Sequence, residues 1–485
     1  MTRATLLERG VVVDGSGEPA RAADVLLRGE RILAVGAHLR AGLPAGLSMS
    51  DVDAVDCSGL AVAPGFIDVH THDDAIVLDV PEMTPKLSQG ITTVVTGNCG
   101  LSVAPYVVDE PQGALTLLGR SFRYPSVAEY ARAVDRARPA VNVAPLVGHT
   151  TLRFACVGDL SRPADAPEVH AMCALLERCM EEGAIGLSSG LFYAEAMPAP
   201  ASEVTALARV VARHGGVYTT HMRTEMADIL AAMHEASDTA FDAGVPLIIS
   251  HHKCAGPANW GRTRETLPLI DQLAERQDIS MDVYPYVAGS TVLREDLVDG
   301  IIDVLVSWSA PHPEMTGRLL ASIADEWGVT QREACLRLKP GGACYFQMHE
   351  DDVRRVLVHR RSMIGSDGLP HDRHPHPRLW GAFPRVLGHY AREQQLFPME
   401  QAVHKMTGLS ARNFRLQNRG EIREGCFADV VVFDPARVRD LATYEQPQLR
   451  SEGIERVYVN GQLALTSSMP ACERRAGRVL LRRPG

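Results

Sequence analysis

Five short stretches of the 485-residue chain carry residue types that bind metals or move protons. In Asp68-Val69-His70-Thr71-His72, strand alternation puts Asp68, His70 and His72 on one face, where two imidazoles can share a metal. Thr96-Gly97-Asn98-Cys99-Gly100 offers a thiol and Tyr218-Thr219-Thr220-His221 another imidazole. Ser250-His251-His252-Lys253 adds two imidazoles and an amine, and Gly365-Ser366-Asp367-Gly368 a carboxylate. Taken singly, each has an ordinary structural explanation: a lone buried cysteine packs as a small hydrophobe, and an aspartate in such a place is commonly a helix cap. Taken together, imidazole and thiolate donors in one cluster are the ligand set of zinc. Cys99 would bind as a thiolate. Asp367 would be the natural proton acceptor for a water whose pKa a zinc ion lowers to about 7.

Parity sorts the neighbours in the fourth stretch. If strand geometry continues, His251 and Lys253 face one way and His252 the other, so His251 is the expected ligand and His252 packs behind the strand. A competing motif, Gly186-Leu187-Ser188-Ser189-Gly190, matches the G-x-S-x-G elbow of serine hydrolases. An elbow must turn straight into a helix. Here Leu191 to Pro200 contains Pro198 and Pro200 and reads as a loop, so a serine nucleophile is not expected.

All five stretches follow short apolar runs, which fixes the elements that must position them. Eight such runs can be counted: 66–69, 91–95, 141–147, 184–187, 216–219, 245–249, 279–283 and 362–365. Amphipathic stretches at 164–182, 203–214, 226–243 and 264–276 fall in the gaps, the alternation of a parallel sheet wrapped by helices. Eight strands close a barrel, and barrel enzymes keep their chemistry at the C-terminal ends of the strands. The expected fold is therefore α/β, a (β/α)8 barrel over residues 63–420, with an excursion at 286–361 over its mouth. Val11-Val12-Val13, Val25-Leu26-Leu27 and Ile32-Leu33-Ala34-Val35 near one end read as strands. So do Asp429 to Phe433 and Arg456 to Val459 near the other, the latter turning at Asn460-Gly461. Residues 1–62 and 421–485 are expected to meet in one small β-sandwich.

Composition narrows the class of ligand. Apolar residues make up 46% and charged residues 22%, enough for a large core. The net charge of −10 comes without a basic run, which argues against nucleic acid and membrane surfaces and for a small-molecule substrate. Ten cysteines without a C-x-x-C pair fit a reducing cytoplasm. Met1 to Val13 carries Arg3, Glu8 and Arg9 and does not read as a signal peptide. No apolar run reaches the ~20 residues of a membrane span.

The stretches Pro64-Gly65-Phe66-Ile67-Asp68-Val69-His70-Thr71-His72, Gly97-Asn98-Cys99-Gly100, Ser250-His251-His252-Lys253 and Gly365-Ser366-Asp367-Gly368 together resemble the amidohydrolase superfamily and, within it, the D-aminoacylases. The resemblance extends to His376-Pro377-Arg378-Leu379-Trp380-Gly381 and the sandwich ends. Many superfamily members bridge two metals with a carboxylated lysine from the fourth strand, where this sequence has Gly186 to Gly190 and no lysine. In the D-aminoacylase branch a cysteine from the second strand takes that place, and Cys99 matches it. By that similarity a tight zinc would sit on Cys99, His221 and His251, and a second, weaker site on His70, His72, Cys99 and Asp367.

The implied reaction is hydrolysis of an N-acyl-D-amino acid to a carboxylate and the free D-amino acid, with Asp367 as the catalytic proton carrier. Lys253, Tyr284 and Arg378 match positions that hold the substrate α-carboxylate, and Ser290 and Met348 match pocket-lining positions. Relatives that select acidic side chains place an arginine where this chain has Leu297, which points to neutral, hydrophobic side chains, although Arg294 lies nearby. Ala194-Glu195 stand where relatives tend to carry prolines. The alternatives are an N-acyl-D-glutamate deacylase or a cyclic-amide hydrolase of the hydantoinase or dihydropyrimidinase type. The missing lysine argues against the cyclic-amide reading.

Overall fold

The computed structural model describes residues 3–119, 121–468 and 474–482; Met1, Cys472 and the last three residues of the expected 421–485 segment lie outside them. Eight parallel strands form the central sheet: β1 (Phe66–Asp68), β2 (Ile91–Thr96), β3 (Asn142–Gly148), β4 (Gly186–Gly190), β5 (Val217–His221), β6 (Leu247–Ile249), β7 (Ile279–Val283) and β8 (Ser362–Ile364). They pair in sequence order, as a barrel of β/α units requires. Each falls within a few residues of the apolar run expected for it. Strands buried on both faces read as continuous apolar runs, which is why they stand out.

Alternation along the strands divides the core. Ile67, Val95, Ala144, Leu146, Ile185, Val217, Ile248 and Met363 cluster together and are covered by Leu409, Phe414 and Leu416 from the segment after the last barrel helices. The opposite parity, including Val94, Val143, Leu247 and Ile249, packs against the surrounding helices. Local chemistry sets the helix limits. Ala166–Glu181 opens with a reciprocal capping box in which Asp165 accepts from the Glu168 N–H and Glu168 from the Asp165 N–H. Ile229–Ala243 stops at Gly244, whose φ of +72° suits a residue without Cβ.

The seam between β8 and β1 carries no ladder, only an isolated parallel bridge between Thr71 and Gly368. Side chains do the joining. Asp68 accepts from the Ser366 N–H at 2.8 Å, and buried Lys86 reaches Asp68 at 2.8 Å, Asp73 at 3.2 Å and the Ser366 hydroxyl at 2.9 Å. Asp68 is thus spent on closing the barrel beneath His70 and His72.

Between β7 and β8 the chain makes its excursion, a three-stranded antiparallel sheet (Gly289–Val292, Val304–Ser309, Gly341–Tyr345) backed by helices Leu320–Trp327 and Gln331–Leu338. Its apolar core of Leu297, Val306, Ile323 and Tyr345 meets Phe192 and Met226 from the loops after β4 and β5, so it sits over the mouth. The two chain ends meet in one eight-stranded mixed sheet. In it Ala61–Pro64 pairs with both Ala4–Val12 and Val430–Phe433, and apolar clusters line both faces. No helix among the described residues is long and apolar enough to cross a membrane.

Candidate metal centre and its pocket

The loop ends of β1, β2, β5, β6 and β8 bring His70, His72, Cys99, His221, His251 and Asp367 into one buried cluster. The thiol of Cys99 is central, 3.2 Å from His70 Nε2 and 3.4 Å from His251 Nε2. His251 Nε2 lies 3.0 Å from His221 Nδ1, while Asp367 Oδ1 is 3.2 Å from His72 Nε2 and 3.5 Å from His70 Nε2. Two overlapping donor sets result: Cys99 with His221 and His251, and Cys99 with His70, His72 and Asp367, each with all ligand atoms within 4.8 Å of one another.

Three of these residues occupy left-handed backbone: Cys99 at φ +54°, His251 at +36° and Asp367 at +50°. Such conformations cost of order 1 to 3 kcal/mol each and persist where the surroundings over-determine them. The surroundings of Cys99 are glycines. A Cβ on Gly190 would stand 2.0 Å from the Cys99 carbonyl oxygen, and one on Gly148 would stand 2.3 Å from that of Gly100. This explains the G-x-S-x-G match: Gly190 makes room for the Cys99 loop. Ser188 Oγ donates to the Gly97 carbonyl and accepts from the Gly100 N–H, and Ser189 Oγ bonds the Tyr218 and Thr220 hydroxyls. Neither serine is free to act as a nucleophile.

The electrostatics favour a cation. Burial alone would push the Cys99 thiol up, yet the imidazoles of His70, His251 and His221 hold it well below the usual thiol range, toward thiolate. Burial likewise opposes ionisation of Asp367, but Arg378, His70, His72 and His251 keep its carboxyl well below the usual carboxylate range. Against the pull of burial, Asp367 and Cys99 raise His72 to about 9. Soft thiolate, imidazole and one carboxylate, with all ligand atoms of each set within 4.8 Å of one another, fit zinc.

A cavity with ≈ 580 Å³ of empty volume, part of it open to solvent, lies above the cluster. Lys253, Tyr284 and Ser290 line it, as do the apolar side chains of Leu117, Phe192, Met226, Leu297 and Leu369. Arg378 does not reach it. Its guanidinium is wholly buried, with Nη1 2.8 Å from Asp367 Oδ2, though not aligned as a hydrogen bond, and its carbon lies 4.5 Å from the Tyr284 ring centre. Nη2 donates to the Ser290 carbonyl at 3.2 Å. Met348 is also outside the main cavity, packed with Val353 and Val356 on the far side of Tyr284 and Lys253. Arg294 turns away, held by Asp296 at 2.6 Å and by the Phe192 carbonyl at 3.0 Å. His252 packs behind its strand against the Thr266 hydroxyl at 2.8 Å, and burial lowers it to about 4.

Three charged residues that the sequence reading passed over stand directly behind the cluster. Glu225 meets Lys253 at 2.6 Å and His251 Nδ1 at 3.0 Å, and Asp282 meets His70 Nδ1 at 3.2 Å and accepts from the His251 N–H at 2.9 Å. Lys86 is the third. Asp282 had a signal, a charge inside the apolar strand Ile279–Val283, whereas Glu225 sits in a loop with no periodicity to mark it. The Phe192-Tyr193 pair, on the loop where Ala194-Glu195 follow, clamps the His221 ring: Phe192 stacks on it at 4.8 Å and Tyr193 meets it edge-on at 5.4 Å. Arg153 Nε donates to the Glu195 carbonyl and so anchors that loop.

Comparison with known proteins places this geometry. The model of the amidohydrolase family matches residues 53–301 and 340–464. A D-aminoacylase of Alcaligenes xylosoxydans xylosoxydans is 50% identical over 98% of this chain and 97% of its own length. A crystal structure of D-aminoacylase superposes with a TM-score of 0.95 at 48% identity, covering 99% of both chains. The N-acyl-D-glutamate deacylase of Bordetella bronchiseptica, solved with zinc and a phosphonate mimic of the tetrahedral intermediate, gives 0.94 at 45% identity, covering 99% of this chain and 100% of its own.

Proposed function

The chain belongs to the amidohydrolase family, in its D-aminoacylase branch, and from that premise we propose that it is a zinc-dependent deacylase that cleaves N-acyl-D-amino acids to a carboxylate and the free D-amino acid. The observation that carries the reading is the pair of donor sets sharing Cys99 at the floor of a half-apolar cavity. Cys99, His221 and His251 would hold the tight zinc, with His70, His72, Cys99 and Asp367 available to a second, weaker one. Zinc bound there supplies Lewis acidity toward the acyl oxygen and toward water.

The chain's own residues account for the rest. Asp367 is the one carboxylate among the proposed ligands, and the charges of Arg378 and the neighbouring imidazoles hold its carboxyl well below the usual carboxylate range, so that it can accept a proton from the attacking water. As the water oxygen bonds to the acyl carbon and the C–N bond breaks, that proton passes from Asp367 to the departing amine nitrogen. The substrate α-carboxylate is matched by the Lys253 ammonium and the Tyr284 hydroxyl, both on the cavity wall. Arg378, paired with Asp367 and donating to the Ser290 carbonyl, adds its positive charge to this end of the site from behind the wall, and Ser290 lines the cavity beside it. Met348 supports this wall from behind.

Specificity for neutral, hydrophobic side chains follows from the lining. Among the described residues Lys253 is the only Lys or Arg in the lining and is already paired with Glu225, Arg294 is held elsewhere, and Leu297 presents hydrocarbon. An acidic side chain would be buried without a partner, which is costly. A cytoplasmic setting is part of the proposal, supported by the nine described cysteines, all of them unpaired. The test is a substrate panel on zinc-loaded protein: N-acetyl-D-methionine, N-acetyl-D-glutamate, their L-forms and a hydantoin. The D-methionine derivative should show the highest kcat/KM. Faster D-glutamate turnover would overturn the side-chain assignment, and hydantoin turnover alone would overturn the reaction.

A further inference from the structure

Behind the tight site one buried carboxylate contacts two groups and faces a third at longer range. Glu225, on the loop after β5, places Oε1 2.6 Å from Lys253 Nζ and 3.0 Å from His251 Nδ1, and Oε2 3.7 Å from His221 Nε2. Those imidazole nitrogens are the outer ones. His251 turns Nε2 to the Cys99 thiol and to His221 Nδ1, so each ring presents its other nitrogen to the cluster. A neutral imidazole carries one proton, and a ring that gives Nε2 to a metal must keep that proton on Nδ1. Lys253 Nζ is 2.7 Å from the same Nδ1, but an ammonium has no lone pair to accept a proton. Only Glu225 can receive it.

We propose that Glu225 is the positioning residue of this centre: it fixes His251 in the tautomer that ligates through Nε2 and holds Lys253 at the cavity wall, while its charge stands 3.7 Å from His221 Nε2, beyond hydrogen-bond reach. One side chain thereby couples the metal site to the site of the substrate carboxylate. The proposal rests on the zinc and substrate reading above. Carboxylates hydrogen-bonded to the outer nitrogen of a ligating histidine orient the ring and raise its basicity, and losing one weakens metal binding by about 10- to 100-fold.

Zinc affinity of the purified full chain, measured by competition with a chromophoric chelator, is the direct readout, because it does not depend on turnover. Glu225→Ala should weaken zinc binding by about 10- to 100-fold, and Glu225→Gln, which keeps an acceptor for the Nδ1 proton but not the charge, by about 3- to 10-fold. Lys253→Met separates the two arms. It should raise KM while leaving zinc affinity within about threefold of wild type, since His251 keeps its partner. Melting curves establish that each variant is folded; should Glu225→Ala fail to fold, Glu225→Gln decides alone. Wild-type zinc affinity in the folded Glu225 variants would overturn the proposal. A wild-type enzyme that binds zinc and cleaves no N-acyl-D-amino acid would instead overturn the substrate reading and leave this test intact.

Discussion

Replacing Gly190 by alanine adds one methyl group on the strand next to the candidate centre. That position has no left-handed φ, so backbone strain is not the issue and the perturbation is steric. The new Cβ would stand 2.0 Å from the Cys99 carbonyl oxygen and 3.0 Å from the Tyr193 ring. A methyl and a carbonyl oxygen need roughly 3.0 to 3.5 Å, so the Cys99 backbone must retreat by about 1 Å or more. That retreat is resisted: Gly148 is pressed against the Gly100 carbonyl, and Ser188 ties both Gly97 and Gly100. Overpacking of this kind costs about 1 to 3 kcal/mol in stability. The effect on function is larger, because Cys99 belongs to both donor sets and a 1 Å misplacement can cost about 100-fold in rate. Denaturant melts give the first quantity, and chelator competition together with kcat gives the second. A folded Gly190→Ala protein with wild-type zinc affinity and kcat would refute the reasoning that Gly190 exists to seat Cys99.

Asp367→Asn removes the proposed proton carrier but leaves Cys99, His221 and His251 in place. It should lower kcat by about 10²- to 10⁴-fold while zinc remains bound at the tight site, as metal analysis of the variant would show. Glu203 lies buried between Arg153 and His149, at 2.6 Å and 2.9 Å, and its charge balances a wholly buried guanidinium. Glu203→Ala should destabilise by about 3 to 5 kcal/mol in chemical denaturation, and should loosen the 191–200 loop that clamps His221. Buried Lys405 donates to the His359 and Ser362 carbonyls, and burial lowers it to about 8 from 10.5. The folded state therefore holds fewer protons than the unfolded state between those values, so stability rises across that window. The gain is on the order of 3 kcal/mol, present in full only above the unfolded pKa. A Lys405→Met protein should show a flatter stability profile from pH 8 to 10.5; identical slopes would exclude Lys405 as the source.

Much of this architecture was legible because a barrel writes its strands as apolar runs and its chemistry directly after them. Cys99, His221, His251 and Asp367 could be singled out only because each follows such a run; parity pointed to His251 over His252, although the strand stops at Ile249 and it is the left-handed backbone of His251 that turns its ring to the cluster. The shared cluster itself depends on the closure of β8 against β1, which Lys86, Asp68 and Ser366 arrange through contacts distant in sequence. Nothing in the spacing announces that. Glu225 was illegible for a similar reason: its partners His251 and Lys253 come from a different loop, and its own neighbours, Arg223 and Thr224, read as ordinary polar loop. Arg378 was matched to the substrate by resemblance, while the folded chain pairs it with Asp367, a contact that only the packing of helix Arg378–Arg385 against Gly368 brings about.

The most direct test of the account is a zinc titration of metal-free protein with N-acetyl-D-methionine as substrate, run beside Cys99→Ala. The account predicts that activity appears as zinc fills the tight site, that the L-form stays uncleaved, and that Cys99→Ala binds zinc weakly and remains inactive at stoichiometric metal. Activity independent of zinc, or full activity in Cys99→Ala, would contradict it.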